Sequence, residues 1–122
     1  MRAADHESVA ELFRALSHPE RVCILEMLSE GERCVCDLAL ALNQRQAYVS
    51  QQLAVLRDAG LVACRRDGWR MRYRLIRPQV LNIIAEAQAI AEQTDVNAER
   101  AYWSHLIATS VGLVAAGNPL TS

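Results

Sequence analysis

Apolar positions recur along the chain at two different periods, and the change of period marks its organisation. Val9, Leu12, Phe13 and Leu16 fall at helical spacing within residues 6–16. Ser17-His18-Pro19-Glu20 then offers a cap at Ser17, a proline for a first turn and an acid three residues on. This predicts a second helix through Val22, Ile24, Leu25 and Leu28 that stops near Gly31. A shorter third helix is expected from about Cys36-Asp37, carrying Leu38, Ala41 and Leu42, with Asn43 at its end. A fourth runs from about Arg45-Gln46 to Asp58. Val49, Leu53 and Leu56 form its apolar stripe, and Gly60 is its stop. Two short helices joined by a tight turn, the second polar on its outer side, form a helix-turn-helix pattern.

The period then falls to two. Leu61 to Arg66 reads as a strand, Asp67-Gly68 as a two-residue hairpin turn, and Trp69 to Leu75 alternates apolar residues with Arg. Such a hairpin has one packed face and one basic face. Pro78 opens a further helix striped by Val80, Ile83, Ile84, Ala87 and Ile90. Thr94-Asp95 begins a last one containing Tyr102, Trp103, Leu106, Ile107, Val111 and Val114. The first and last helices are more apolar than so small a domain hides alone, which points to a dimer interface. The expected fold is mainly α with a small β-hairpin: a winged helix-turn-helix, dimeric through its first and last helices. Residues 1–122 are expected to form one such winged helix-turn-helix domain, with C-terminal dimerisation helices at about 78–116.

Composition narrows the class. The chain has 122 residues, 52% hydrophobic and 22% charged, so it is neither a disordered tail nor a membrane protein. The apolar run at 106–116 is far short of the roughly 20 residues a bilayer requires. Residues 1–11 carry charges and no signal-peptide stretch, so a cytoplasmic location is expected. The net charge of −1 conceals a sharp asymmetry. Residues 45–77 carry +6, against −4 for residues 1–44 and −3 for residues 78–122. All thirteen basic residues are Arg, whose planar donor fork suits phosphates and guanine edges. A basic block in an otherwise acidic domain is the footprint of a polyanion.

Four cysteines remain: Cys23, Cys34, Cys36 and Cys64. Without an export signal, free thiols, a metal site or redox chemistry are favoured over structural disulfides. Cys34 and Cys36 stand too close in sequence for an ordinary structural bridge to each other. At a helix N-terminus, the dipole and unpaired N–H groups lower a thiol's pKa. Thiolates are the soft ligands that trivalent arsenic, antimony, cadmium and lead prefer.

The wording of these segments resembles the arsenic-repressor (ArsR/SmtB-type) family of winged helix-turn-helix, metal-sensing transcriptional repressors. Ala15-Leu16-Ser17-His18-Pro19-Glu20-Arg21 resembles its ALSxPxR segment. Residues 49–62, from Val49-Ser50-Gln51-Gln52-Leu53 to Gly60-Leu61-Val62, resemble its recognition helix. Arg65-Arg66-Asp67-Gly68 and Tyr73-Arg74-Leu75 resemble its wing. The likeness spans roughly residues 8–93. It implies a homodimer on double-stranded operator DNA with an inverted repeat, and no membrane partner. The residues assigned to DNA are Arg45, Gln46, Tyr48, Ser50, Gln51, Arg57, Arg65, Arg66, Arg70 and Arg72. Gln46, Ser50 and Gln51 are the candidates for base contacts, since Gln pairs naturally with adenine. Gln51 and Gln52 replace residues that are often His in the family.

Arg33-Cys34-Val35-Cys36-Asp37-Leu38 resembles the ELCVCDL box of arsenite-, antimonite- and cadmium-responsive members. By that likeness Cys34 and Cys36 hold an inducer: arsenite, methylarsenite or antimonite, with cadmium or lead as further candidates. No cofactor is required for DNA binding. Distortion at the start of this helix would couple the inducer to DNA release, provided the inducer favours the DNA-incompetent state. A third Cys that such boxes often carry is replaced by Ala39. Three alternatives follow. Two thiols with a small thiol or water suffice; Cys64 or Cys23 supplies a third sulfur; or the inducer is a methylated arsenical with two bonds left for thiols. The zinc-type Asp-x-His pair of related members is missing from residues 79–105; His105 reads as a packing or interface residue, His18 as part of the helix entry, and His6 as disordered. Trp69, Tyr73, Tyr102 and Trp103 read as wing and dimer packing. A thiol redox or persulfide-sensing repressor on the same scaffold is the competing reading. The sequence lacks the phosphate loops, catalytic triads and HExxH boxes of enzymes.

Overall fold

A computed structural model describes residues 1–93. The chain divides into two units, the first Met1–Ile84 and the second beginning at Ala85. Everything below concerns the first unit unless stated. Its helices are α1 (Ala3–Leu16), α2 (Pro19–Leu28), α3 (Val35–Leu42) and α4 (Gln46–Asp58). Its strands are β1 (Arg33–Cys34), β2 (Val62–Asp67) and β3 (Arg70–Leu75). A fifth helix, α5, runs over Gln79–Gln93. The expected last helix, with Tyr102, Trp103 and His105, lies outside the described residues. His6, expected to be disordered, lies within α1, which starts at Ala3, ahead of the first position of its apolar stripe.

The expected helix-turn-helix is α3–α4. Its turn works because Asn43 adopts a left-handed conformation, φ 54°, which Asn tolerates better than most residues. Gly60 ends the run after α4 at φ 77°. The α4 stripe reads as predicted: Val49, Leu53 and Leu56 are fully buried. They pack with Ile24, Leu25 and Leu28 of α2, Leu38 of α3, and Leu61, Val62 and Tyr73 beside them. Each buried Leu contributes roughly 1.5–3 kcal/mol, so this stripe fixes α4 against the body.

Three further local expectations are corrected. The sheet has three antiparallel strands, in the order β1-β3-β2, rather than a lone hairpin. Two residues, Arg33 and Cys34, pair with Tyr73 and Arg72. A strand so short leaves no periodic signal. Second, the hairpin turn is Gly68-Trp69, because Asp67 pairs with Arg70 across the ladder. Gly68, at φ 66°, occupies the first turn position, which Gly-first hairpin turns reserve for it. This one-residue shift leaves Trp69 in the turn and 81% exposed instead of packed. Third, α2 is capped by His18, whose Nδ1 accepts from the Glu20 N–H at 3.2 Å. Pro19 takes the first helical position, which moves the cap to residue 18. Ser17 instead closes α1, its hydroxyl donating to the Arg14 carbonyl at 2.7 Å.

Candidate functional site

The strand-to-helix junction at Cys34 builds the first half of the site. Cys34 ends β1 in extended conformation, ψ 160°, and serves as the N-cap of α3. Its sulfur accepts the Asp37 N–H at 3.3 Å. The residue is 1% exposed, whereas Cys36, in the first turn of α3, is half-buried. The expectation that the two are too close for a bridge is overturned: Cys34 and Cys36 are joined as a disulfide, with Cα atoms 5.3 Å apart. That distance is the ordinary helical separation of residues two apart, set by Val35 in the first turn of α3, and it lies in the range a disulfide spans. The two sulfurs and a carboxylate oxygen of Asp37 all lie within 4.8 Å of one another. Asp37 had no ligand role in the sequence reading. Its signal is its place directly after the second Cys, in the first helical turn.

Both other cysteines stand elsewhere. Cys23 is a half-buried free thiol on α2. Cys64 is a free thiol on β2, opposite Tyr73, and its sulfur receives Arg57 Nη1 at 3.6 Å. Burial foremost, with the neighbouring Cys64 second, raises the Tyr73 phenol pKa. Neither thiol lines the cavity beside Cys34 and Cys36, which has a volume of about 210 Å³. That cavity is walled by Cys34 and Cys36, by Gln46 and Ser50 of α4, and by Trp69 and Arg70 at the hairpin tip. It joins the thiol box to the start of the candidate recognition helix and to the wing.

The residues assigned to DNA fall into two groups. Arg45, Gln46, Ser50, Gln51 and Arg57 are exposed along α4 and its N-cap. Arg66 and Arg70 are exposed on the hairpin, and the Arg70 guanidinium sits 5.0 Å from the centre of the Trp69 ring. Three others are engaged inside the molecule. Tyr48 is half-buried; its hydroxyl donates to Glu20 at 2.9 Å and lies 3.4 Å from His18 Nε2. Donation to Glu20 raises the Tyr48 pKa. Arg65 makes a two-pronged contact with Glu32, Nη2 to Oε1 at 2.7 Å and Nε to Oε2 at 3.0 Å. Arg72 donates to Asp67 at 2.8 Å. These contacts hold the carboxyl groups of Glu32 and Asp67 below the usual carboxylate range. Gln52 is not an outward reader. It accepts from Arg21 of α2 at 3.1 Å, while Arg21 also reaches the Arg14 carbonyl at the end of α1 at 3.5 Å.

A model of the arsR family of bacterial regulatory proteins matches residues 18–63, from the cap of α2 into β2. The HTH-type transcriptional regulator Rv0081 of Mycobacterium tuberculosis is 43% identical over 82 residues, covering 66% of this chain and 72% of that protein. The chain belongs to the ArsR family. The arsenical resistance operon repressor of Escherichia coli is 47% identical over 66 residues, 53% of this chain and 56% of that protein. The solution structure of a homodimeric winged helix-turn-helix DNA-binding domain from Mycobacterium bovis superposes with TM-score 0.67 and 35% identity. It covers 75% of this chain and 85% of that one.

Membership makes this ArsR-family chain a DNA-binding transcriptional repressor and not an enzyme. It gives α3–α4 and the β2–β3 hairpin their names, helix-turn-helix and wing. Among the described residues, no helix is long and apolar enough to cross a membrane.

Proposed function

We propose that this ArsR-family repressor binds an inverted-repeat operator as a homodimer and leaves it when reduced Cys34 and Cys36 capture a soft, thiophilic inducer. The inducers in scope are arsenite, methylarsenite, antimonite, cadmium and lead. The observation that carries the proposal is the shared cavity. Its walls combine the sulfur pair with Gln46, Ser50 and Arg70, residues assigned to DNA. An inducer seated there changes the surface that meets the operator, so it differs in affinity between the free and DNA-bound states. Asp37 stands within reach as an oxygen neighbour for the ion. Capture requires thiols. A cellular thiol reductant supplies two electrons and two protons to the disulfide and is itself oxidised to a disulfide. With arsenite, two As–S bonds then replace two As–OH bonds, and each thiol proton leaves with a hydroxide as water.

In this reading the α4 helices of the two protomers enter successive major grooves about one DNA turn apart, and the wings hold the backbone. Val9 and Phe13 of α1, 41% and 53% exposed, are the described residues suited to pair two copies. The test is DNA release by fluorescence anisotropy at one fixed salt concentration, with upstream DNA as the probe. Arsenite, methylarsenite, antimonite, cadmium and lead are added to phosphine-reduced wild type and to a Cys34→Ser/Cys36→Ser variant. Release of wild type alone supports the proposal. Equal behaviour of the two proteins refutes it.

The disulfide itself favours a second reading, a thiol redox repressor. Closing the bond removes both thiols, and an oxidant must accept the two electrons. Release by peroxide with no release by any thiophilic ion selects this reading over the first.

A further inference from the structure

We propose that Glu20 and Arg21 of α2 form a two-point clamp on α4, gripping it at Tyr48 and Gln52, and that these four are positioning residues for operator reading rather than DNA contacts. The inference does not depend on the inducer; it requires only that α4 meets the DNA. The Tyr48 hydroxyl donates to Glu20 Oε1 at 2.9 Å. Gln44 Nε2, in the turn before α4, donates to the same oxygen at 3.5 Å. His18 Nε2 lies 3.4 Å from that hydroxyl. One residue further along α2, Arg21 Nη1 donates to Gln52 Oε1 at 3.1 Å, and its Nη2 to the Arg14 carbonyl at 3.5 Å.

Tyr48 and Gln52 are four residues apart, so they stand one above the other on one side of α4. Adjacent residues of α2 therefore hold two successive turns of the reader. The buried stripe of Val49, Leu53 and Leu56 presses α4 onto the body, but burial is non-directional. Hydrogen bonds have preferred angles, and these two fix the roll of the helix about its axis. The start of α4 needs that hold: its N-cap, Arg45, makes no side-chain capping bond among the described residues, and its first turn carries no acid. Gln46, Ser50 and Gln51 are exposed and lie within two residues of a clamped position. Hydrogen bonds to a base edge depend on the roll that presents them, whereas attraction to phosphates tolerates it. The clamp thus governs discrimination between sequences more than total affinity.

The experiment is fluorescence anisotropy of the full chain over a range of salt concentrations, on two duplexes. One is footprinted from upstream DNA; the other is a scrambled duplex of the same length and composition. The readout is the ratio of the two affinities, which partial unfolding leaves unchanged because it lowers both alike. Tyr48→Phe and Gln52→Ala each lower the ratio by about three- to tenfold, the scale of one hydrogen bond, with the salt slope unchanged because no phosphate contact is lost. Glu20→Ala lowers it likewise, and Glu20→Gln, which keeps an acceptor for the hydroxyl, restores most of it. Tyr48→Phe adds nothing to Glu20→Ala, because both break the same bond. A ratio untouched by Tyr48→Phe or by Gln52→Ala overturns the clamp. So does an additive loss on combining Tyr48→Phe with Glu20→Ala, which makes the hydroxyl a direct DNA contact. Tyr48→Phe keeps the ring and Gln52 lies outside the buried core, so these two variants decide the matter if Glu20→Ala does not fold. Gln46→Ala reports reading by α4 itself. A loss there without loss in the clamp variants overturns the clamp alone; a ratio untouched by all of them overturns α4 as the reader together with the clamp.

Discussion

The Cys34–Asp37 junction and the β2–β3 wing face the same cavity, yet they hold their chemistry in opposite ways. At the junction the reactive side chain is buried, caps a helix and belongs to a strand pair. Its position is set by backbone hydrogen bonds and core packing. On the wing the charges are exposed, and two of them are spent inside the molecule, Arg65 on Glu32 and Arg72 on Asp67. Clustered arginines in sequence are thus not the same as charge available to DNA. Short spacing at a helix start transfers directly into geometry, whereas a charge run does not until its partners are known.

This contrast predicts that stability reads the junction and DNA affinity reads the wing. In the reduced protein Cys34→Ala removes a cap and a buried side chain, and chemical denaturation will show a loss of about 1–2 kcal/mol. Arg70→Ala on the wing leaves stability within about 0.5 kcal/mol. Anisotropy with DNA will instead show binding weaker by about 1 kcal/mol and a salt slope lower by about 1. Arg65→Ala has a smaller effect on DNA affinity, because its guanidinium is already occupied by Glu32. Glu32→Gln works in the other direction. It releases Arg65, tightens DNA binding by a few fold and steepens the salt slope by up to about 1.

The smallest effect is in pH. Glu32 and Asp67 have carboxyl pKa values below their ordinary ones, because Arg65 and Arg72 bond them. Both pairs therefore contribute stability above the ordinary carboxylate range and lose it as pH falls through the lowered values. Each pair has one exposed and one partly exposed member, so solvent screens both and the contribution is slight. Denaturation midpoints of wild type and Glu32→Gln will differ slightly near neutral pH and converge as pH falls through the lowered Glu32 value. A difference that persists in acid would assign the effect to something other than the ion pair.

Much of the fold was readable in the residues, for reasons visible at particular positions. The α4 stripe of Val49, Leu53 and Leu56 and the Pro19 and Gly60 boundaries follow from local rules of periodicity and backbone freedom. What escaped was non-local. The β1 pairing of Arg33 and Cys34 depends on β3, almost forty residues later in the chain. The Tyr48–Glu20 and Arg65–Glu32 contacts join elements about thirty residues apart, and no spacing rule announces them. The Trp69 placement failed through a one-residue error in the turn, which moved an apolar side chain from a strand face into water. For the candidate site, the two cysteines were evident, but their direct bond, the Asp37 neighbour and the cavity with Gln46 and Trp69 required the assembled unit.

The central claim is that inducer and DNA are coupled through the Cys34/Cys36 cavity. Coupling between two ligands is reciprocal, so the factor by which inducer weakens DNA binding must equal the factor by which DNA weakens inducer binding. The most direct measurement is therefore the affinity of the reduced protein for arsenite or methylarsenite, free and saturated with the DNA it binds. The account predicts weaker inducer binding in the DNA complex, by the same factor as inducer-driven DNA release, and loss of both effects in Cys34→Ser/Cys36→Ser. Equal inducer affinity with and without DNA would contradict it.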